Sequence, residues 1–141
     1  MSPKPKVLIV DDEERFRTTM CKLLTVRGLE ASSVGSGKEA LKELRENSYD
    51  VVILDVRMPE MSGVQAMAEL RKLDPFIEVI IMTGYASVDT AKKIMELGAY
   101  DYMLKPYNTD ELIEKIEAAY DRKCTRQQLI GSEQKNTGVD G

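Results

Sequence analysis

Four short apolar runs, each ending on a polar residue of chemical interest, constrain this chain more than anything else in it. Val7-Leu8-Ile9-Val10 runs into Asp11-Asp12, and Val51-Val52-Ile53-Leu54 runs into Asp55. Val79-Ile80-Ile81-Met82 ends at Thr83, and Tyr100-Asp101-Tyr102-Met103-Leu104 ends at Lys105-Pro106. Apolar runs of this length, separated by helix-length segments, read as buried parallel strands. In an open parallel sheet, ligands collect beyond the carboxyl ends of the strands. Asp11, Asp12, Asp55, Thr83 and Lys105, remote in sequence, are therefore expected in one cleft.

The segments between the runs carry helical patterns. Residues 13–27 place Phe16, Met20, Leu23 and Leu24 on one stripe, with Gly28 closing the helix. A second helix opens at Ser36, with Glu39 completing a capping box, and turns Ala40, Leu41 and Leu44 inward. A third opens at Ser62 with Gln65 and carries Val64, Met67, Leu70 and Leu73. A fourth, about 86–97, has Val88, Ala91, Ile94 and Met95 inward and stops at Gly98. The fifth starts at Asn108 or Thr109, with Glu111 placed for the cap, and buries Leu112, Ile113, Ile116 and Ala119.

With strands near 6–10, 29–34, 51–54, 77–82 and 100–104, the chain is five strand–helix units. That is a doubly wound α/β fold with right-handed crossovers. Leu29 to Val34 alternates instead of running apolar, as an edge strand does. Residues 1–5 read as an N-terminal extension and 6–122 as the folded domain. Apolar periodicity stops after Arg122, so 123–141 is expected to be a flexible tail or linker stub.

Composition excludes several functions. The net charge of −4 lacks the basic surface that nucleic-acid binding needs. No segment has the length and apolarity of a membrane span or signal peptide, so the cytoplasm is the expected location. Cys21 and Cys124 are too few for a disulfide framework; Cys21 reads as a small buried hydrophobe and Cys124 as an exposed thiol. The chain has no histidine, which excludes a His-based triad, a His-built zinc site and a His phosphoacceptor.

Three converging carboxylates repel one another by roughly 4 kcal/mol per pair at about 4 Å and an effective dielectric near 20. Protonation of one group or a bound cation resolves the conflict. Hard oxygen donors without His or Cys select Mg²⁺, Ca²⁺ or Mn²⁺, and few protein ligands beside a phosphate favour Mg²⁺. Alone, Asp11-Asp12 would pass for a helix cap and Lys105 for a surface charge. Their coincidence with Asp55 at matching strand ends makes them a site for holding a phosphoryl group.

These residues give the chain a family resemblance. It resembles a two-component response regulator receiver domain from about Lys6 to Arg122, through four signatures: Val7 to Glu13; Asp55-Val56-Arg57-Met58-Pro59-Glu60-Met61-Ser62-Gly63; Thr83-Gly84-Tyr85-Ala86; and Gly98 to Pro106. The resemblance implies a flavodoxin-like (βα)5 fold with strand order 2-1-3-4-5. It also implies that Asp55 accepts a phosphoryl group from a sensor histidine kinase or phosphotransfer protein. Asp12, Asp55 and the Arg57 carbonyl would bind Mg²⁺ (or Mn²⁺), with Asp11 contributing through water. Thr83 and Lys105 would contact the phosphoryl oxygens, and Thr83 with Tyr102 would form the switch. The face of the fourth helix, fifth strand and fifth helix would then change shape for a downstream protein, in a monomer or a phosphorylation-dependent dimer. Such a domain is a phosphoacceptor and not an enzyme in the ordinary sense.

Rival readings make distinct demands. A Mg²⁺-dependent aspartyl-phosphate phosphatase needs an acid two residues after its nucleophile, where this chain has Arg57. Gly35-Ser36-Gly37-Lys38 resembles the end of a P-loop, but Glu39 replaces the needed hydroxyl and Ser32 the first glycine. The chain also fits the N-terminal receiver of a longer DNA-binding transcription factor, with 121–128 starting a linker helix.

Overall fold

Alternation of side chains along the strands builds this fold. In the computed structural model, which describes residues 4–55, 63–84 and 88–139, the elements follow in strict order. They are β1 (Lys6–Val10), α1 (Glu14–Val26), β2 (Glu30–Val34), α2 (Gly37–Glu46), β3 (Val51–Leu54), α3 (Gly63–Leu73), β4 (Glu78–Thr83), α4 (Val88–Glu96), β5 (Asp101–Leu104) and α5 (Thr109–Val139). All strand pairs are parallel, in the order β2-β1-β3-β4-β5.

Leu8, Val10, Val52, Leu54, Val79 and Ile81 pack on one face with Ala40, Leu41, Ala66, Met67, Leu70 and Ile94. Their strand neighbours Val7, Ile9, Val51, Ile53, Ile80 and Met82 pack on the other with Met20, Leu24, Leu112, Ile116 and Ala119. Both faces are covered, so the central strands are apolar between the polar residues at their ends. Edge strand β2 is partly exposed, in keeping with its mixed sequence.

Local signals set the helix ends. After α1, Gly28 takes φ +90°; its N–H donates to Thr25 O and that of Leu29 to Leu24 O, a Schellman closure. Gly98 repeats the arrangement after α4 with φ +101°, through Gly98 N–H to Met95 O and Ala99 N–H to Ile94 O. Ser36 Oγ accepts the Glu39 N–H at 3.2 Å, while the Glu39 carboxylate reaches back to the Gly35 N–H at 2.6 Å. Asn108 Oδ1 caps α5 through the Glu111 N–H at 2.9 Å. The expected cap at Ser62 lies outside the described residues.

Some expected inward positions turn outward. Leu23, Leu73 and Met95 are exposed beside buried Leu24, Leu70 and Ile94. Each lies at the margin of a stripe that is narrower than its apolar residues suggest. Cys21 and Cys124 are both half-buried.

The larger correction concerns α5, which does not fray after Arg122 but stays helical to Val139. Lys123 is buried and donates to Tyr49 O at 3.2 Å and Asp50 Oδ1 at 2.7 Å. Arg126 donates to Glu78 Oε1 at 2.8 Å and Pro75 O at 2.9 Å, and Arg122 binds both oxygens of Glu78. The inner stripe of α5 thus continues beyond Ala119, but as cations facing acids at the amino ends of β3 and β4. A search for apolar periodicity stops where the stripe changes chemistry. Cutting the chain after Gln128 should leave its melting temperature unchanged. Cutting after Arg122 removes Lys123 and Arg126 and should lower it by roughly 5–10 °C, as loss of about 2 kcal/mol does in a domain of this size. Thermal unfolding followed by circular dichroism measures both.

Candidate functional site

The site residues hang from backbone bonds that prolong the sheet past its strands. The Asp11 N–H donates to Val34 O at 3.2 Å, the Asp55 N–H to Val10 O at 3.0 Å, and the Lys105 N–H to Thr83 O at 2.8 Å. Each bond continues a parallel ladder by one residue, so the side chains leave one sheet edge from fixed positions. The structure brings Asp11, Asp12 and Asp55 together, with one oxygen from each within 4.8 Å of the others. Asp11 is 1% exposed and Asp55 7%, whereas Asp12 is open to solvent.

One ammonium enters this cluster. Lys105 Nζ lies 2.7 Å from Asp11 Oδ2 and 3.3 Å from Asp55 Oδ2. The other Asp11 oxygen accepts the Glu13 N–H at 2.9 Å, which folds the turn into α1. Burial pulls the Lys105 pKa down, but the bond to Asp11 and the charges of Asp55 and Asp11 outweigh it, leaving the pKa above the ordinary lysine value. Lys105 is thus fully charged at neutral pH. Three carboxylates against one cation leave a formal −2, all from oxygen donors. This set suits a hard divalent cation.

Thr83 is buried at the last position of β4, in register with Leu104. Tyr102 pairs with Ile81 along β5 and is 45% exposed, its ring outside the core. The Lys105–Pro106 peptide bond is cis. The Arg57 carbonyl and Tyr85 lie outside the described residues.

Two nearby residues were not singled out for the site by sequence reasoning. Arg17 Nη1 donates to the Asp11 carbonyl at 2.8 Å and steadies the loop that carries both acids. Phe16, assigned to the core stripe of α1, also lies under the Lys105 ammonium, with 4.0 Å between Nζ and ring centroid. Its position four residues after Asp12, on the first turn of a helix leaving the cleft, is the signal that could have found it.

Over residues 7–117 the chain matches the family model of the response regulator receiver domain. The chain belongs to that family. Among its relatives is the transcriptional regulatory protein ZraR of Escherichia coli, 41% identical over 80% of this chain and 26% of ZraR. The regulatory protein AtoC of the same organism is 36% identical over 88% of this chain and 27% of AtoC. A solved response regulator receiver domain protein from Clostridium thermocellum superposes with a TM-score of 0.81 at 36% identity, covering 86% of this chain and 98% of that one. The chain therefore spans about a quarter of the length of these curated relatives and nearly all of the solved receiver domain. The resemblance read from the sequence is borne out, and so are the parallel sheet and its strand order. No helix among the described residues is long and apolar enough to cross a membrane.

Among the described residues, Lys105 is the cation that pairs with both Asp11 and Asp55 of the receiver's acid cluster. Lys105→Met should leave these two carboxylates without its ammonium and lower stability by about 1–3 kcal/mol, measured by urea denaturation in a chelator.

Proposed function

We propose that this receiver domain is phosphorylated on Asp55 by a sensor histidine kinase or phosphotransfer protein, and that the modification changes the face formed by α4, β5 and α5. The observation that carries the reading is the convergence of Asp11, Asp12 and Asp55 around the Lys105 ammonium at one sheet edge. The Asp55 carboxylate attacks phosphorus in line with the donor nitrogen. The O–P bond of an acyl phosphate forms as the N–P bond breaks, and the electron pair and a solvent proton go to the departing imidazole.

Asp11, Asp12, Asp55 and the Arg57 carbonyl would hold Mg²⁺ (or Mn²⁺), with Asp11 acting through water; bound there, the ion offsets the charge that develops on the phosphoryl oxygens. Lys105 offers its ammonium to one of those oxygens and Thr83 its hydroxyl to another. Thr83 drawn onto the phosphoryl group vacates space, and Tyr102, now outside, has room to move inward. The result is a changed α4–β5–α5 face read by a downstream protein or a second copy of the chain. Such a phosphoacceptor works in the cytoplasm, beside its kinase, and assists its own modification without turning over a separate substrate. The site is not that of an aspartyl-phosphate phosphatase, because Arg57 stands where the leaving-group acid is needed.

A second reading extends this one. The curated relatives are transcriptional regulators of which the chain matches about a quarter, which favours a receiver that governs a DNA-binding output in a longer protein. DNA contact would then belong to that output.

Incubation with acetyl phosphate and Mg²⁺ should add one phosphate to the intact mass. Asp55→Asn should abolish the addition, and a chelator should stop it in the unaltered chain. Continued labelling of Asp55→Asn at a comparable rate would place the acceptor elsewhere.

A further inference from the structure

Among the described residues, the Lys105 ammonium has near partners of two kinds. Two are the carboxylate oxygens of Asp11 and Asp55, at 2.7 and 3.3 Å; the third is the face of Phe16. The Phe16 ring is itself fixed. Tyr107 meets it edge-on, with centroids 5.8 Å apart and planes at 79°, and both rings pack on the apolar cluster between the sheet and α1 and α5. Lys105 and Tyr107, two residues apart, therefore grip one ring from its face and its edge.

The two kinds of partner respond oppositely to a divalent cation. Carboxylate oxygens are the donors such an ion takes, and its charge weakens their hold on an ammonium. The ring is no ligand for a hard ion, yet its negative face still attracts the ammonium. A lysine that lost its carboxylates without another partner would swing into water on its flexible stem. Asp55 would then meet the incoming phosphoryl group with the metal ion but without the ammonium placed beside it.

We propose that Phe16 is a positioning residue for phosphoryl transfer: its ring keeps the Lys105 ammonium beside Asp55 while Asp11 and Asp55 are engaged by the metal. The proposal rests on the reading of Asp55 as phosphoacceptor. It separates from simple core packing, because leucine preserves apolar contact without the ring's quadrupole, whereas tyrosine preserves both.

The test uses the whole isotope-labelled chain. An ammonium over a ring face carries its ε-methylene protons into the shielding cone, so the Lys105 signals should lie upfield of the other lysines. They should stay there at saturating Mg²⁺ without any phosphodonor. Phe16→Leu should return them to the common lysine position and slow phosphorylation by acetyl phosphate about three- to ten-fold, the range of a partly desolvated cation–π contact. Phe16→Tyr should restore both the shift and the rate.

Collapse of the upfield shift when Mg²⁺ is added to the unaltered chain would overturn the proposal. So would a Phe16→Leu variant phosphorylated at the original rate, or a Phe16→Tyr variant that melts normally and is as slow as Phe16→Leu. If the unaltered chain takes up no phosphate at all, the phosphoacceptor reading fails by itself. The shift under Mg²⁺ alone then still decides whether the ring holds the ammonium.

Discussion

The ion pair between Lys105 and the Asp11 and Asp55 carboxylates reconciles this fold with its own topology. A parallel sheet sends every strand end to one edge, so residues that follow strands are forced into proximity whatever their charge. Three acids at that edge cost several kcal/mol in mutual repulsion, against a total stability of about 5–15 kcal/mol for a domain. The half-buried Lys105 ammonium removes part of the conflict and leaves a net negative cluster of oxygen donors, a set that suits a hard divalent cation.

The opposite edge solves a mirror problem permanently. Asp50 precedes β3 and Glu78 begins β4, and α5 answers them with Lys123, Arg122 and Arg126. Glu78 is fully buried and takes bonds from two guanidiniums, while Arg122 and Arg126 also lie over the rings of Tyr100 and Phe76. Asp50 and Glu78 are thus each paired with a cation of the chain itself. One end of the sheet is closed by side chains and the other is left underneutralised. That asymmetry separates the anchoring end from the acidic one.

Most of this was legible in the chain. Strand-end residues pointed to both the sheet and the convergence of Asp11, Asp12, Asp55 and Lys105, because a short apolar run followed by a charge has few structural meanings. Capping signals at Ser36, Asn108, Gly28 and Gly98 placed helix ends to within a residue or two. Two kinds of information were hidden. The C-terminal half of α5 could not be read from hydrophobic spacing, since Lys123 and Arg126 pack through charge against partners about fifty to seventy residues away. Phe16 was assigned to packing alone, because periodicity names the face of a helix and not which neighbour shares it.

The length of α5 has a mechanical consequence. It starts beside the cis Lys105–Pro106 turn at the acidic edge, runs the depth of the sheet, and makes its last bond to the sheet among the described side chains at Arg126. From Gln127 to Val139 it continues as a rod of about 20 Å at 1.5 Å per residue. Arg122, Arg126 and Glu78 form the fulcrum of that rod, and the acidic edge lies at its other end, about as far from the pivot as the distal tip. A rotation of about 10° around such a pivot is a sub-ångström adjustment at the anchoring residues but displaces the far tip by about 3 Å. The geometry converts angle into distance, and the gain is set by the number of helical residues beyond the pivot.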